Sequence, residues 1–304
     1  MAATPLMFTS VATAVAFKAG VFNVGVEGSM YLGAFAAAWV GFSWVGLPGL
    51  VLVPVAILLA GIVGALWAYL PGYAKAYLGV DEVVTTLLLN YVAISFTSYL
   101  VTYPFMSPGA ANSMSPQIAP QAHLPSIWPP SQLNVSFLLA VAVAVGVWFL
   151  MRHMTTGYAI RVVGTNSRFA RVVGISPPAV MVGAMLMSGF IGGLAGATQV
   201  LGVNYRFVGN FSPGYGFDGI TIALMANNDP LGAILGAILL GALRSGGATV
   251  QLFSNIPLDL LNVLEAVIIL LVTVDVAGWR PSRLFTAILS RRRRHYAGAV
   301  GVTR

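Results

Sequence analysis

The sequence contains no cysteine, and only 8% of its 304 residues are charged. The missing cysteine excludes disulfides, thiolate metal sites and cysteine nucleophiles. The three histidines, His123, His153 and His295, are scattered without the spacing of a metal site. The GxxxxGK[ST] phosphate loop and the GxSxG and HExxH motifs are also absent. We therefore predict no catalytic residue, no metal and no cofactor in this chain, which should not hydrolyse ATP itself.

The scarcity of charge is matched by an excess of apolar residues. Hydrophobic residues make up 58% of the chain and the mean hydropathy is +0.87, whereas about a quarter of the residues in an average soluble domain are charged. Apolar runs of roughly membrane-spanning length follow one another almost end to end. The runs are continuous rather than alternating, which indicates helices and not an outer-membrane barrel. The predicted fold class is an all-α, polytopic integral membrane protein.

The number of crossings follows from the apolar segments. Seven of them are long enough to span a bilayer, the first is short, and 215–226 is far too short to be an ordinary spanning helix. This pattern predicts about eight or nine transmembrane helices. The predicted segments are 5–19, 28–46, 48–71, 83–103, 135–151, 179–202, 215–226, 230–250 and 256–276.

The positions of the basic residues predict the orientation. Arginines concentrate in the 152–178 connection and in the RRRRH tract at 291–295, so both should be cytoplasmic. An even number of crossings must separate them, which requires the short segment 215–226 to count as one. We divide the chain into a transmembrane domain, 1–280, and a basic cytoplasmic tail, 281–304. The net charge of +7 thus reflects topology and not a nucleic-acid surface.

This orientation has consequences for the remaining loops. The Pro-, Ser- and Ala-rich segment 104–134 falls outside, where it could cap the outer face. The same count places Met1 outside with hardly any residues before the first crossing, so we expect that one helix is missing at the start.

Polar residues interrupt several apolar segments. Asn23 and Glu27 lie among closely spaced glycines, which indicates either a broken helix lining a pathway or a cytoplasmic turn with a structural Glu27. Asn90 and Tyr91 lie about two turns into an apolar helix, where an amide needs either an interhelical partner or a wet cavity. Asp218 either belongs to a pathway or caps the short helix.

Arg244 is a further intramembrane charge. Its expected structural role is an ion pair with one of the acids of the last segments, Asp259 or Glu265.

The cytoplasmic stretch 157–176 has the pattern of a short amphipathic helix. Asn166 caps its start, apolar Phe169, Val172 and Val173 share a side, and Gly174 ends it. Such a helix suits docking to a soluble partner, and its arginines would equally suit anionic lipid headgroups. The residues alone do not choose between the two.

Four ordered motifs resemble a known family. They are FNVGVEGSMYLGAF, LPGYAKAYLGVDEVVTTLLLNYVA, RVVGTNSRFARVVGI and GYGFDGITIALMANNDPLGAILGAILLGALRSGG. Across residues 5–276 the chain resembles the branched-chain amino acid/ribose-type permeases of bacterial ATP-binding-cassette (ABC) importers, and most closely the nucleoside or simple-sugar permeases among them. Members of this subgroup usually begin with an additional hydrophobic helix, in agreement with the topology count.

The resemblance implies a function, a location and partners. The chain would be the membrane subunit of an importer in the inner (plasma) membrane, with a cytoplasmic C-terminal tail, and would form the path for a nucleoside or simple sugar. Its partners would be two cytoplasmic ATPase subunits that bind ATP, a second and related permease, an extracytoplasmic solute-binding protein and membrane lipid, without nucleic acid.

The resemblance also assigns residues. The ATPase-docking loop would comprise Gly164, Asn166, Arg168, Ala170, Arg171 and Gly174. Candidate residues of the translocation path are Asn23, Glu27, Asn90, Tyr91 and Asp218.

The main alternative is an ion- or proton-driven secondary transporter, in which Glu27, Asp218 and Glu265 would form the relay. It predicts uptake that collapses with an uncoupler and needs no ATPase. The amphipathic cytoplasmic segment and the small number of intramembrane acids count against it.

Overall fold

A computed structural model of the chain describes residues 2–127 and 133–253, together with Val263 and Val267. In these ranges the fold is helical, and strand-like pairing is limited to two isolated bridges. A 3₁₀ turn, Pro120–Ala122, lies in the long loop and a π-helical turn, Val200–Asn204, extends α8. The helices are α1 Ala3–Lys18, α2 Val26–Ser43, α3 Gly49–Leu78, α4 Glu82–Thr102, α5 Val135–His153, α6 Thr155–Thr165, α7 Ser167–Val172, α8 Pro177–Gln199, α9 Tyr215–Met225 and α10 Pro230–Phe253.

The all-helical prediction is confirmed for the described part of the chain. Each apolar segment up to residue 250 forms a helix with ends within a few residues of the prediction, except that α3 continues seven residues further, to Leu78. The extension stops where Gly79 adopts the left-handed conformation with φ +69°. The segment 256–276 and the boundary at 280 lie outside the described residues, apart from Val263 and Val267.

The predicted number of crossings is confirmed only in part. Within the described ranges, five helices are long and apolar enough to cross a membrane: α3, α4, α5, α8 with its π-helical turn, and α10 up to Gly247. The count of eight to nine stays a prediction. The three other segments predicted as crossings, α1, α2 and α9, are shorter or less apolar for different physical reasons.

The helices α1 and α2 occupy the interior of the bundle. Nearly every side chain from Thr4 to Ala16 is buried, and so is most of α2. Threonines, serines and glycines are therefore acceptable there, because protein and not lipid surrounds them. The 16 residues of α1 are fewer than an ordinary spanning helix has, and α2 carries Glu27 and several small residues that lower its hydropathy.

Glycines allow these central helices to pack at very short range. A Cβ atom placed on Gly193 would collide with the backbone of Ala60 in α3, and one on Gly196 would collide with Met30 and Ala34 of α2. Small residues of α8 are thus the points where its backbone contacts those of its neighbours.

The loops gather at two ends of the bundle. At one end Lys18 approaches Gly164, and Arg152, Arg161 and Asp229 surround a common cavity. At the other end the 113–118 segment hydrogen-bonds the 205–209 segment, for example from the Ile118 amide to the Tyr205 carbonyl over 2.9 Å. The sidedness predicted from basic residues assigns the first end to the cytoplasm.

Candidate translocation site and docking surface

The connection between α1 and α2 is an ordered irregular segment. Gly20 takes a left-handed conformation, φ +77°, and the buried Asn23 fixes the next turn. The Asn23 side chain accepts a hydrogen bond from the Gly25 amide and donates one to Ser188 Oγ, both over 2.8 Å. Asn23 therefore ties the break between two helices to α8.

Asn90 supports the same break from α4. Its side-chain amide donates to the Val24 carbonyl over 2.9 Å and accepts from the Gly28 amide over 2.8 Å, and it is 2% exposed. These are the interhelical partners that one of the two interpretations of Asn90 expected. Contact of Asn90 with a transported solute stays a prediction.

Tyr91 lies differently from its neighbour in sequence. Its side chain is 63% exposed at the outer surface of the helix bundle. Both residues were predicted to line the path, but successive residues of a helix face different directions. Asn90 points into the bundle and Tyr91 points away from it.

We predict that Asn90→Leu destabilises the protein, whereas Tyr91→Leu does not. The leucine at position 90 would leave the Val24 carbonyl and the Gly28 amide without partners, at about 1–3 kcal/mol for each buried group. The measurement is the thermal transition of the purified variants in one detergent. Equal transitions for the two variants would contradict the role assigned to Asn90.

The start of the short helix α9 is held by the central helices. Glu27, which is 3% exposed, accepts a hydrogen bond from the Gly216 amide. Thr9 of α1 donates to the Tyr215 carbonyl over 2.9 Å, and the Ser212 amide donates to the Tyr31 hydroxyl over 3.3 Å. The carboxylate at the positive end of α9 also complements the helix dipole.

The length of α9 bears on where this cluster would lie in a membrane. Eleven residues of α-helix rise about 16 Å, roughly half of the 30 Å hydrocarbon core. Because α9 ends beside Asn228 and Asp229, at the end of the bundle that the basic residues predict to be cytoplasmic, we expect its first turn to lie near mid-depth. The segment is a half-helix whose first turn lies against Glu27, which brings two of the predicted path residues, Glu27 and Asp218, into one neighbourhood.

Asp218 forms an ion pair with α10. Its carboxylate lies 2.6 Å from the Arg244 guanidinium, and that guanidinium lies 5.5 Å from the ring centroid of Tyr215. The sequence suggested Asp259 or Glu265 as the partner of Arg244, and both lie outside the described residues. The structure identifies Asp218 as a partner because α9 and α10 form a hairpin that returns Arg244 to the level of the first turn of α9.

We predict that Arg244→Gln destabilises the protein by about 3 kcal/mol, because the half-buried Asp218 carboxylate loses its countercharge. In the double variant Arg244→Gln/Asp218→Asn, most of that loss should be recovered. Denaturation of purified Arg244→Gln, Asp218→Asn and the double variant checks this expectation. A double variant as unstable as the sum of both single variants would show that the pair is not coupled.

The predicted docking residues lie close together in and around α7, at the end of the bundle that is predicted to be cytoplasmic. The Asn166 side chain caps α7 by accepting hydrogen bonds from the Arg168 and Phe169 amides, each over 3.0 Å. Ala170 is buried, and Gly174 ends the turn with φ +84°. The cap and the glycine stop are therefore as the sequence predicted.

The exposed side of α7 is apolar and basic. Val172 is 84% exposed and Phe169 is 51% exposed, and Arg168 and Arg171 are exposed beside them. Gly164, at the end of α6, packs against the backbone of Lys18 and Ala19. The surface formed by α7 is therefore open to a partner and anchored to α1, the helix that also holds α9.

The sequence did not predict three parts of this arrangement. It predicted the helix that Asn166 caps and Gly174 ends, which is α7, but it did not predict α6, the separate helix before Asn166. It did not detect the contacts of Thr9 or Ser212 with the half-helix. Neither residue belongs to a recognisable motif, since a hydroxyl among apolar residues has no distinguishing spacing.

Comparisons with known proteins find similarity to permease components of transport systems. A family model described as the permease component of branched-chain amino acid transport systems matches residues 1–273. The guanosine ABC transporter permease protein NupP of Bacillus subtilis is 35% identical over 279 residues, which cover 90% of this chain and 79% of that protein.

Two further relatives are of the same kind. The glucose ABC transporter permease protein TsgB13 of Haloferax volcanii is 34% identical over 88% of this chain and 73% of its own length. The nucleoside ABC transporter permease protein NupB of Lactococcus lactis is 29% identical over 89% of this chain and 76% of its own length. No solved structure matches the chain. With a family match over residues 1–273 and helices suited to a multi-pass membrane protein, this chain belongs to the permease component family of branched-chain amino acid transport systems.

Proposed function

We propose that this chain is a permease subunit of an ABC importer and forms the translocation path for a nucleoside or simple sugar across the plasma membrane. The main support is the 35% identity to a guanosine permease over 90% of the chain. The resemblance to a glucose permease keeps sugars among the candidates. In this proposal ATP binds to separate ATPase subunits, and the permease performs no chemistry.

In this proposal the solute passes between α2 and α9. The polar groups near the start of α9 are its backbone, the Glu27 carboxylate and the Asp218–Arg244 pair, and they would lie near mid-depth. Broken helices at mid-depth are the usual places where transporters hold a solute, because exposed backbone groups supply hydrogen bonds there. These groups would form hydrogen bonds with a neutral, hydroxyl-rich solute while the half-helix changes from one conformation to the other.

Movements driven by ATP in the ATPase subunits would reach the permease through α7. We propose that Gly164, Asn166, Arg168, Ala170, Arg171 and Gly174 shape the surface that docks an ATPase subunit. The exposed Phe169 and Val172 would fill a groove on that partner, and the arginines would meet its acidic rim. Because Gly164 contacts α1 and α1 contacts Tyr215, a displacement of the docking surface would be transmitted to the half-helix.

The complete importer would contain a second permease, two ATPase subunits and an extracytoplasmic solute-binding protein. The exposed Tyr91 side chain lies on a surface that either lipid or the second permease would cover. With the basic tail 281–304 in the cytoplasm, the orientation obeys the positive-inside rule.

Uptake measurements test the proposal. Cells that express the whole importer should accumulate labelled guanosine, uridine or glucose. Unlabelled compounds of the transported class, nucleosides or sugars, should compete with that uptake, and those of the other class should not. Uptake should stop when ATP is depleted and should persist when an uncoupler removes only the proton gradient. Uptake that follows the proton gradient and needs no ATPase would instead favour the secondary transporter with Glu27 and Asp218 as its relay.

A further inference from the structure

A basic cavity lies at the cytoplasmic end, apart from the path and from the exposed side of α7. It has a volume of about 300 Å³, and its lining comes from the end of α1, the end of α5, from α6 and from the turn between α9 and α10. The polar groups that line it are Lys18, Arg152, Arg161, Asn228 and Asp229. Four separate parts of the chain thus bring three cations to one opening.

The charges of this cavity are not balanced by its own acid. Asp229 is the single carboxylate among the lining residues, and it accepts a hydrogen bond from the Gly232 amide over 3.0 Å at the start of α10. In the described part of the chain, none of the three cations forms an ion pair with an acidic side chain. The cavity therefore has an excess of positive charge that favours an anion.

The position of the cavity narrows the choice of anion. Trp148 and Met151 add an apolar wall, and the Arg152 guanidinium lies 5.7 Å from the Trp148 ring centroid. Tryptophan and arginine at the end of a spanning helix are typical of the level of the lipid headgroups. A ligand with a phosphate and an adjoining apolar part would satisfy both the cations and this wall.

We propose that this cavity binds the phosphate of an anionic lipid headgroup from the cytoplasmic leaflet. The phosphate lies between Lys18, Arg152 and Arg161, and the glycerol and the first methylenes of the acyl chains lie along Trp148 and Met151. The bound lipid joins the ends of α1 and α5 to the turn that precedes α10. The proposal is independent of the solute that the importer carries.

Two ligand sources share this chemistry, namely a lipid headgroup and a free phosphate compound. They are distinguished by titrating the purified full-length chain in detergent with tail-labelled phosphatidylglycerol, with tail-labelled phosphatidylcholine and with soluble glycerol phosphate as a competitor. Preferential binding of phosphatidylglycerol, with little displacement by millimolar glycerol phosphate, is the expected result. Equal binding of both lipids, or full displacement by glycerol phosphate, would overturn the lipid assignment.

Variants test the site itself. Each basic residue near a membrane surface contributes roughly a fivefold gain in affinity for an anionic lipid, so Arg161→Gln should bind phosphatidylglycerol about fivefold more weakly. Arg152→Gln/Arg161→Gln should bind about 25-fold more weakly if the two contributions add. Arg161→Lys keeps the charge and should remain close to the wild type.

The matched control is Arg168→Gln, which removes the same charge from an exposed position at the same end but outside the cavity. Its affinity for phosphatidylglycerol should equal that of the wild type. If Arg168→Gln weakens binding as much as Arg161→Gln does, lipid is attracted by the general charge of the cytoplasmic surface and the cavity is not a site. Thermal transitions of all variants verify that each one is folded.

Discussion

Replacing Gly196 with leucine should abolish folding of the protein, whereas the same replacement at Gly183 should be tolerated. Both glycines belong to α8. A Cβ atom on Gly196 would collide with backbone atoms of Met30 and Ala34 in α2, but one on Gly183 would meet no heavy atom within 4 Å. Since backbone in the centre of the bundle cannot move aside as a flexible side chain can, we expect a loss of more than about 3 kcal/mol at Gly196.

The measurement is the yield of monodisperse protein from detergent extracts, followed by thermal denaturation of whatever is recovered. Little or no folded Gly196→Leu protein and a normal yield of Gly183→Leu are expected. Recovery of Gly196→Leu at the wild-type level, with an unchanged thermal transition, would contradict the close packing of α8 on α2.

Val172→Asp should separate the permease from its proposed ATPase partner without unfolding it. The side chain of Val172 is 84% exposed at the end of α7, so the buried contacts of the bundle do not depend on it. A carboxylate in the centre of an apolar docking surface would lose its hydration without gaining a partner, which costs several kcal/mol and is enough to reduce affinity at least a hundredfold.

The readout is co-purification of the ATPase subunit with the tagged permease, together with solute uptake. The matched control is Val45→Asp. Val45 is exposed just after the C-terminal end of α2, at the other end of the bundle from α7, and the same change there should leave the ATPase bound. Retention of the ATPase by Val172→Asp would refute docking through α7. Loss from both variants would indicate a general defect and would also contradict a local docking surface.

The comparison between Asn90 and Tyr91 illustrates how far sequence reasoning reaches. The sequence predicted that an amide in an apolar helix requires either a partner or a wet cavity, and the structure supplies two backbone partners at the α1–α2 break. It grouped Tyr91 with Asn90 because they are adjacent, but adjacent residues of a helix point in directions about 100° apart. Only the packing of α4 against α2 decides which of the two faces the interior.

Much of the architecture was determined by the sequence itself. Lipid requires every backbone group of a spanning segment to be hydrogen-bonded internally, so continuous apolar runs of this length form helices. Composition predicted most of their ends, but not the end of α3. Local chemistry likewise determined the cap at Asn166 and the stop at Gly174, because both depend on neighbouring backbone groups. The four ordered motifs pointed to the permease family before any contact was known.

The tertiary structure decided which residues that are distant in sequence come into contact. Three features join separate helices. They are the hydrogen bond from the Gly216 amide to Glu27, the Asp218–Arg244 ion pair, and the cavity lined by Lys18, Arg152 and Arg161. No local pattern specifies these partners, since a carboxylate or guanidinium reaches whatever the packing of helices brings within a few ångströms. That packing depends on where glycines allow backbones to approach, which is a property of pairs of helices and not of either sequence segment alone.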